Sequence, residues 1–183
     1  MRMSIRDAIN LTLHEEMSRD ERVIVLGEDV ASDQGGVYGI TAGLPAKFGT
    51  ERVIDTPITE SAIIGAAGGA ALTGLRPVAE LMFVDFLGVC LDQLLNQIAK
   101  FRYMFGGQAR TPVVIRTMIG AGAGTGPQHS QILYPLLAAI PGIKVVVPSN
   151  AADAKGLLAE AIRQDDPVVF CEHKALYMDE CDV

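Results

Sequence analysis

Two side chains are the strongest candidates for proton chemistry, a glutamate and a histidine. Glu60 follows Thr56-Pro57-Ile58-Thr59 and lies where a run of small apolar residues begins, at the predicted first turn of a helix. Burial among apolar neighbours would favour its protonated form, whereas the helix terminus would favour its charged form. A carboxyl between these effects can exchange a proton near neutral pH. In the alternative interpretation Thr59 caps the helix and Glu60 only complements its dipole.

The histidine is His129, in the run Gln128-His129-Ser130-Gln131 between a glycine-rich loop and a predicted helix. Its imidazole could act as an acid or a base, although a single histidine is more often structural. The glycine-rich loop 120–126 has neither the Gly-Lys-Ser/Thr ending of a P-loop nor the GxGxxG spacing, which argues against a phosphate site. Cys171 and His173 supply at most two metal ligands, too few for a zinc site.

Three further acidic residues need an explanation. Glu28 and Asp29 follow a predicted strand, where they could bind a metal or merely begin a loop. Glu80 lies within the otherwise apolar strand 77–83. A charge buried there requires a partner, so we expect Glu80 to form a structural ion pair.

Alternating strands and helices must position these residues. Short β-branched runs predict strands at 23–26, 53–55, 77–83, 113–115, 144–147 and 167–171. Helical spacing predicts a first helix capped by Ser4 and further helices at 61–73, 85–103, 131–139 and 151–164, the last capped by Ser149 or Asn150. This alternation predicts an α/β fold in which helices cover both faces of a parallel sheet. Segments 28–50, 56–60, 83–86 and 120–131 then follow the carboxyl ends of strands, where such sheets carry their sites.

Composition restricts the classes of function. The length of 183 residues predicts one domain, and the 49% hydrophobic content is enough for a large core. The net charge of −7 argues against nucleic acid or an anionic membrane as the partner. Three cysteines without a CxxC pair indicate a reducing compartment and no disulfide framework. No segment is typical of a targeting or membrane-spanning sequence, so we expect a soluble, cytoplasmic protein.

The candidate residues lie within an ordered set of eleven motifs, at 27–31, 35–38, 43–49, 52–60, 74–80, 92–93, 99–103, 106–108, 128–131, 141–146 and 153–158. As a set, these motifs resemble the beta subunit of the thiamine-diphosphate-dependent first component of 2-oxo acid dehydrogenase complexes. The resemblance covers residues 4–177. Segments 116–122 and 170–174 are most similar to the acetoin dehydrogenase branch, and the pyruvate and branched-chain enzymes are close alternatives.

The resemblance implies a transketolase-like pyrimidine-binding domain over residues 1–183, a three-layer parallel sheet between helices, without the family's C-terminal domain. It implies that Glu60 bonds a ring nitrogen of the cofactor's aminopyrimidine and stabilises the imino tautomer that activates the thiazolium carbon. It also implies that His129 stabilises or protonates the covalent intermediate. Glu28 is implied to lie near the pyrimidine pocket and its proton path, and Ile58 and Phe86 to contact the cofactor.

The resemblance further implies partners and ions. An alpha subunit would complete a heterotetramer and hold the cofactor's diphosphate and magnesium, and a lipoyl acyltransferase core would accept the acyl group on lipoamide. Potassium would be held by backbone carbonyls of Val113, Ala161, Gln164 and Asp166. We therefore expect the chain alone to be inactive. The alternatives are a transketolase-like enzyme, which would also carry a diphosphate-binding domain, and a non-catalytic assembly module of the complex.

Overall fold

A six-stranded parallel sheet forms the centre of the molecule. The computed structural model describes residues 1–183. The strands are β2 (Val23–Gly27), β3 (Val53–Asp55), β4 (Arg76–Phe83), β5 (Val114–Ile119), β6 (Lys144–Val146) and β7 (Val168–His173), in the order β3-β2-β4-β5-β7-β6. Two short strands, β1 (Arg2–Ser4) and β8 (Glu180–Asp182), form a separate antiparallel ribbon. The predicted parallel α/β fold is confirmed.

Helices cover both faces of the sheet. They are α1 (Ile5–Arg19), α2 (Leu44–Phe48), α3 (Glu60–Leu72), α4 (Leu87–Asp92), α5 (Phe101–Met104), α6 (Tyr134–Ala138) and α7 (Ala151–Arg163). One apolar core lies between the sheet and helices α1 and α7, and a second lies between the sheet and helices α3 and α4. Neighbouring strand residues contribute to opposite cores, as Val114 and Ile115 do, because side chains alternate across a strand.

Two predicted helix caps are confirmed by hydrogen bonds. Ser4 Oγ accepts from the backbone N–H of Asp7 at 3.1 Å, and α1 begins at the next residue after Ser4. Asn150 Oδ1, rather than Ser149, accepts from the N–H of Asp153 at 2.8 Å and begins α7. Each bond satisfies one of the free N–H groups of a first helical turn.

The prediction of one continuous helix at 85–103 is wrong. The segment contains a 3₁₀ turn (Val84–Phe86), helix α4, a π-helical stretch (Gln93–Ile98) and helix α5. Apolar periodicity shows which residues face the sheet, but it does not reveal an extra residue in a turn. The π-helical stretch packs closely on α3, since a Cβ placed on Gly68 would lie 2.8 Å from Ile98 Cγ1.

Other differences from the sequence-based expectations concern the boundaries of elements. Strands β5 and β7 are longer than predicted and reach Ile119 and His173, and helix α6 is shorter, starting at Tyr134. The segment 28–50, predicted to be irregular, consists of turns and the short helix α2. None of the helices is long and apolar enough to cross a membrane.

Candidate active site

Glu60 is a sequestered carboxyl at the carboxyl edge of the sheet. The chain leaves β3 at Asp55 and enters α3 at Glu60, which is 8% exposed. Thr59 is the N-cap residue by position, but its side chain makes no capping hydrogen bond. The alternative in which Thr59 caps this helix through its side chain is therefore wrong, and the structure gives Glu60 no hydrogen-bonding partner for its carboxyl.

Glu28 occupies the exit of the neighbouring strand β2. Its side chain is half-buried, and its Oε1 is buried without a hydrogen-bonding partner. Burial raises the pKa of Glu28, and the negative charges of Glu60, Asp29 and Glu80 raise it further. The neighbouring negative charge therefore favours the protonated form of Glu28. Glu28 and Glu60 therefore form an acidic pair at adjacent strand ends.

His129 lies in an aromatic cluster at the exits of β4 and β5. The centroid of its imidazole lies 4.7 Å from that of Phe83 and 5.4 Å from that of Phe86, and both ring planes are nearly perpendicular to it. His129 Nδ1 is buried without a hydrogen-bonding partner. Edge-to-face contacts fix the plane of a ring, so the imidazole is oriented by its aromatic neighbours.

The acidic pair and the aromatic cluster lie at the same edge of the sheet. Cys90 on α4 connects them, because its thiol lies 3.9 Å from the carbonyl of Phe86 and the charge of Glu60 reaches it. Burial and that charge raise the pKa of Cys90 to about 12. Ile58, two residues before Glu60, is 82% exposed. The structure thus places Glu28, Ile58, Glu60, Phe86 and His129 after β2, β3, β4 and β5, as expected from the sequence.

The expected ion pair of Glu80 is present, with a partner that the sequence did not reveal. Arg116 is 1% exposed and donates to Glu80 Oε2 at 2.8 Å and to Glu172 Oε1 at 2.7 Å. The hydroxyl of Tyr177 donates to Glu172 Oε2 at 2.5 Å. Burial raises the pKa of Glu80 even though Arg116 acts in the opposite direction. Since the charge of Glu80 also acts on Glu28, this network borders the candidate site.

A protein-ligated metal centre is not evident. No group of three His, Cys, Asp or Glu side chains is placed to hold an ion, so the metal alternative for Glu28 and Asp29 has no support. The four carbonyls expected to hold potassium lie away from the acidic pair, before β5 and around the end of α7. The carbonyl of Val113 accepts from the Val168 N–H at 2.9 Å and that of Gln164 accepts from Arg76 at 2.5 Å. A carbonyl has two lone pairs, so one that accepts a single hydrogen bond can still bind an ion. The potassium assignment therefore stays a prediction.

The orphaned polar atoms fit a bound heterocycle. Glu28 Oε1 and His129 Nδ1 are buried without partners, and Glu60 has no cation beside it. The ring of Phe86 and the exposed side chain of Ile58 provide apolar surface at the same edge. Carboxyls beside apolar surface can bond the nitrogens of an aromatic ring while the apolar groups contact its faces.

Comparisons with known proteins agree with this geometry. The family described as transketolase, pyrimidine binding domain matches residues 1–180. The beta subunit of acetoin:2,6-dichlorophenolindophenol oxidoreductase from Cupriavidus necator is 58% identical over 185 residues, which cover 96% of this chain and 54% of that protein. The beta-1 subunit of the mitochondrial pyruvate dehydrogenase E1 component from Arabidopsis thaliana is 50% identical over 175 residues, with coverage of 96% and 48%.

A solved structure titled split gene transketolase, inactive beta4 tetramer has the same fold. Its TM-score is 0.74 at 24% identity, and the match covers 94% of this chain and 51% of that one. The chain spans about half the length of the curated relatives it matches. These similarities confirm the resemblance carried by the eleven motifs.

Proposed function

Because the chain belongs to the transketolase pyrimidine-binding domain family, we propose that it is the cofactor-activating domain of a thiamine-diphosphate-dependent acetoin dehydrogenase beta subunit. The observation that carries the proposal is the unpartnered, 8% exposed carboxyl of Glu60 beside Glu28 at the carboxyl edge of the sheet. A pyruvate or branched-chain 2-oxo acid dehydrogenase beta subunit is the alternative, since relatives of the pyruvate class are also similar.

Four residues would hold the aminopyrimidine end of the cofactor, namely Glu28, Ile58, Glu60 and Phe86. When bound, thiamine diphosphate supplies the electron sink for cleavage of a bond beside a carbonyl. The carboxyl of Glu60, which has no hydrogen-bonding partner in the protein, would bond a ring nitrogen of that end. Glu28, whose pKa is raised by burial and by the charge of Glu60, would hold a proton close to Glu60.

His129 is proposed to act on the substrate side of the site. Its Nδ1 is free of protein partners, and Phe83 and Phe86 restrict the rotation of its ring. An imidazole with a fixed plane and a free nitrogen can donate or accept a proton at a defined position. Transfer of the acyl group to lipoamide is the step that we assign to this residue.

The remaining parts of the proposal concern the assembled enzyme. An alpha subunit would bind the diphosphate and its magnesium ion, and the two subunit types would form a heterotetramer that delivers acyl groups to a lipoyl acyltransferase core. Potassium at Val113, Ala161, Gln164 and Asp166, a cytoplasmic location and inactivity of the chain alone belong to the same proposal. The acidic surface, with a net charge of −7, supports partners other than nucleic acid.

The decisive experiment replaces Glu60 by Gln in the full-length beta subunit assembled with its alpha partner. We expect a loss of acetoin turnover of about 100-fold or more, because the amide cannot share a proton, with the subunit assembly unchanged. Glu51→Gln, at an exposed position of the same chain, is the matched control. Near-normal turnover by E60Q would exclude the role proposed for Glu60.

Three further measurements test the rest of the proposal. Comparison of acetoin with pyruvate and a branched-chain 2-oxo acid identifies the substrate class. His129→Ala should slow lipoamide reduction more than it weakens cofactor binding, and unchanged lipoamide reduction would contradict the role of His129. An oligomer that forms with the alpha subunit but takes up no thiamine diphosphate would favour the assembly module.

A further inference from the structure

Lys174 is a buried ammonium without a carboxylate partner. It follows strand β7 directly and is 6% exposed. Lysine is almost never fully buried unless it is paired. Here the Nζ atom donates to the backbone carbonyl of His129 and lies 4.9 Å from the ring centroid of Phe83. No salt bridge includes it, so these two contacts are what compensates the buried charge.

Both contacts of Lys174 lead to His129. The hydrogen bond holds the backbone of the 3₁₀ turn that carries His129. The cation–π contact holds Phe83, whose ring meets the imidazole at 4.7 Å. A cation over an aromatic face is attracted by the negative charge of that face, and more strongly when water is excluded. One ammonium therefore restrains both the main chain and the ring of the same histidine.

A second residue anchors the same loop from another strand. Asp85 Oδ1, just after β4, accepts from the N–H groups of Ser130 at 3.2 Å and Gln131 at 3.1 Å. The loop is thus fixed by an anion at one strand exit and by a cation at another. Burial lowers the pKa of Lys174 and the charge of Asp85 opposes this, so the ammonium is retained at a cost in free energy.

We propose that Lys174 is a positioning residue that fixes the imidazole of His129 for catalysis. The proposal deepens the function proposed above and rests on the role of His129 in it. A merely structural lysine would stabilise the end of β7 without a specific effect on the histidine. Misplacement of a catalytic group by 1 Å can cost about 100-fold in rate, which makes the two roles distinguishable.

The experiment uses the full-length beta subunit assembled with its alpha partner, in the variants K174M and K174R. The matched control is K100M, because Lys100 Nζ also donates to a backbone carbonyl, that of Pro141, at 2.6 Å and away from His129. The first readout is the rate of carbethoxylation of His129 by diethyl pyrocarbonate, followed by mass spectrometry with His14 as the internal reference. The second readout is kcat and KM with acetoin.

For K174M we expect the carbethoxylation rate of His129 to rise several-fold relative to His14. We expect kcat to fall by about 10- to 100-fold with little change in KM. K174R retains a cation and donors and should recover most of kcat, and K100M should behave like the wild type. If K174M does not assemble, the same measurements are made on K174Q, whose side chain is shorter and uncharged but can still donate a hydrogen bond.

The outcomes separate this inference from the proposed function. An unchanged carbethoxylation rate at His129 in K174M would overturn the positioning role, as would equal losses of kcat in K174M and K174R. If wild-type enzyme turns over none of the substrates, the proposed function fails. The carbethoxylation comparison would still decide whether Lys174 fixes the imidazole, because it does not require turnover.

Discussion

Three carboxylates, one inside strand β4 and two after β2 and β3, differ in what neutralises their charge. Glu80 is paired with Arg116, whereas Glu28 and Glu60 have no cation as partner. Removing one partner of a buried ion pair is strongly destabilising, which gives the pair of Glu80 with Arg116 a structural role. The carboxyl of Glu28, by contrast, has a buried oxygen without a hydrogen-bonding partner, and Glu60 forms no ion pair. The difference between paired and unpaired acids thus separates the structural network from the candidate catalytic pair.

Glu28→Gln tests the raised pKa of Glu28. The folded pKa lies above the ordinary value of 4.5, so the folded protein binds this proton more tightly than the unfolded chain. Its stabilising contribution is complete below pH 4.5 and is lost as the pH rises toward the folded pKa. We therefore expect the free energy of unfolding of E28Q, relative to the wild type, to increase with pH above about 4.5 and then level off.

Urea denaturation over this pH range measures the effect. The exposed Glu51→Gln variant should differ from the wild type by an amount that is nearly constant over the range. If the curves of E28Q and the wild type stay parallel at all pH values, the carboxyl of Glu28 does not hold its proton more tightly in the folded state.

Arg116→Met tests the buried network. Removing the guanidinium leaves Glu80 and Glu172 buried without a cation, and breaking a buried pair in this way costs about 3–5 kcal/mol. The matched control is Arg102→Met, whose ion pair with Asp166 is half-exposed at 3.2 Å. Such surface pairs contribute about 0–1 kcal/mol. Equal losses of unfolding free energy in the two variants would contradict the structural role of Arg116.

At the scale of elements, the approach of helix α3 to the π-helical stretch depends on glycine. A Cβ on Gly68 would lie 2.8 Å from Ile98 Cγ1, whereas a Cβ on the adjacent Gly69 would meet no atom within 4 Å. Both glycines are helical, so both lower the intrinsic stability of the helix. Only Gly68 has a packing reason to be glycine.

Alanine substitutions at these two positions should therefore have opposite effects. Gly69→Ala should raise the free energy of unfolding by about 0.5–1 kcal/mol, since alanine loses less backbone entropy on folding. Gly68→Ala should lower it by about 1–3 kcal/mol, because Ile98 or the helix must shift. Thermal and urea unfolding of the two variants provide the measurement. Stabilisation by G68A would show that α3 and the π-helical stretch are not in this close contact.

Elements defined by local signals were predictable from the sequence, and those defined by distant contacts were not. The caps at Ser4 and Asn150 depend on residues three positions away, and the parallel strands depend on continuous β-branched runs. The π-helical stretch after Asp92 packs on helix α3, which is distant in sequence, and the β1–β8 ribbon joins the two ends of the chain. Neither leaves a periodic signal.

The same distinction holds for the candidate site. Glu60 and His129 were found from residue type and from their positions after predicted strands. The links made by Arg116 and Lys174 were not predicted, because Glu172 and His129 lie 56 and 45 residues away in sequence. A charged residue inside an apolar strand, as Glu80 is, signals that a partner exists but does not identify it.

At the scale of the whole molecule, the candidate site is one-sided. The strand ends provide acids and aromatic rings, but Ile58 is 82% exposed beside Glu60. The net charge of −7 opposes the binding of a diphosphate. In the proposed function, the alpha subunit would cover this exposed apolar side chain and complete the site.

Affinity for thiamine diphosphate should accordingly depend on both subunits. Titration calorimetry with magnesium present should give a Kd at least about 100-fold lower for the assembled complex than for the beta chain alone, a difference of about 2.7 kcal/mol. Ile58→Ala sharpens the test, because a side chain that is 82% exposed adds little to the stability of this chain. It should leave unfolding unchanged and weaken cofactor binding only in the complex. Equal affinities of the chain and the complex would mean that this domain carries a complete site, and the division of labour proposed between the subunits would be wrong.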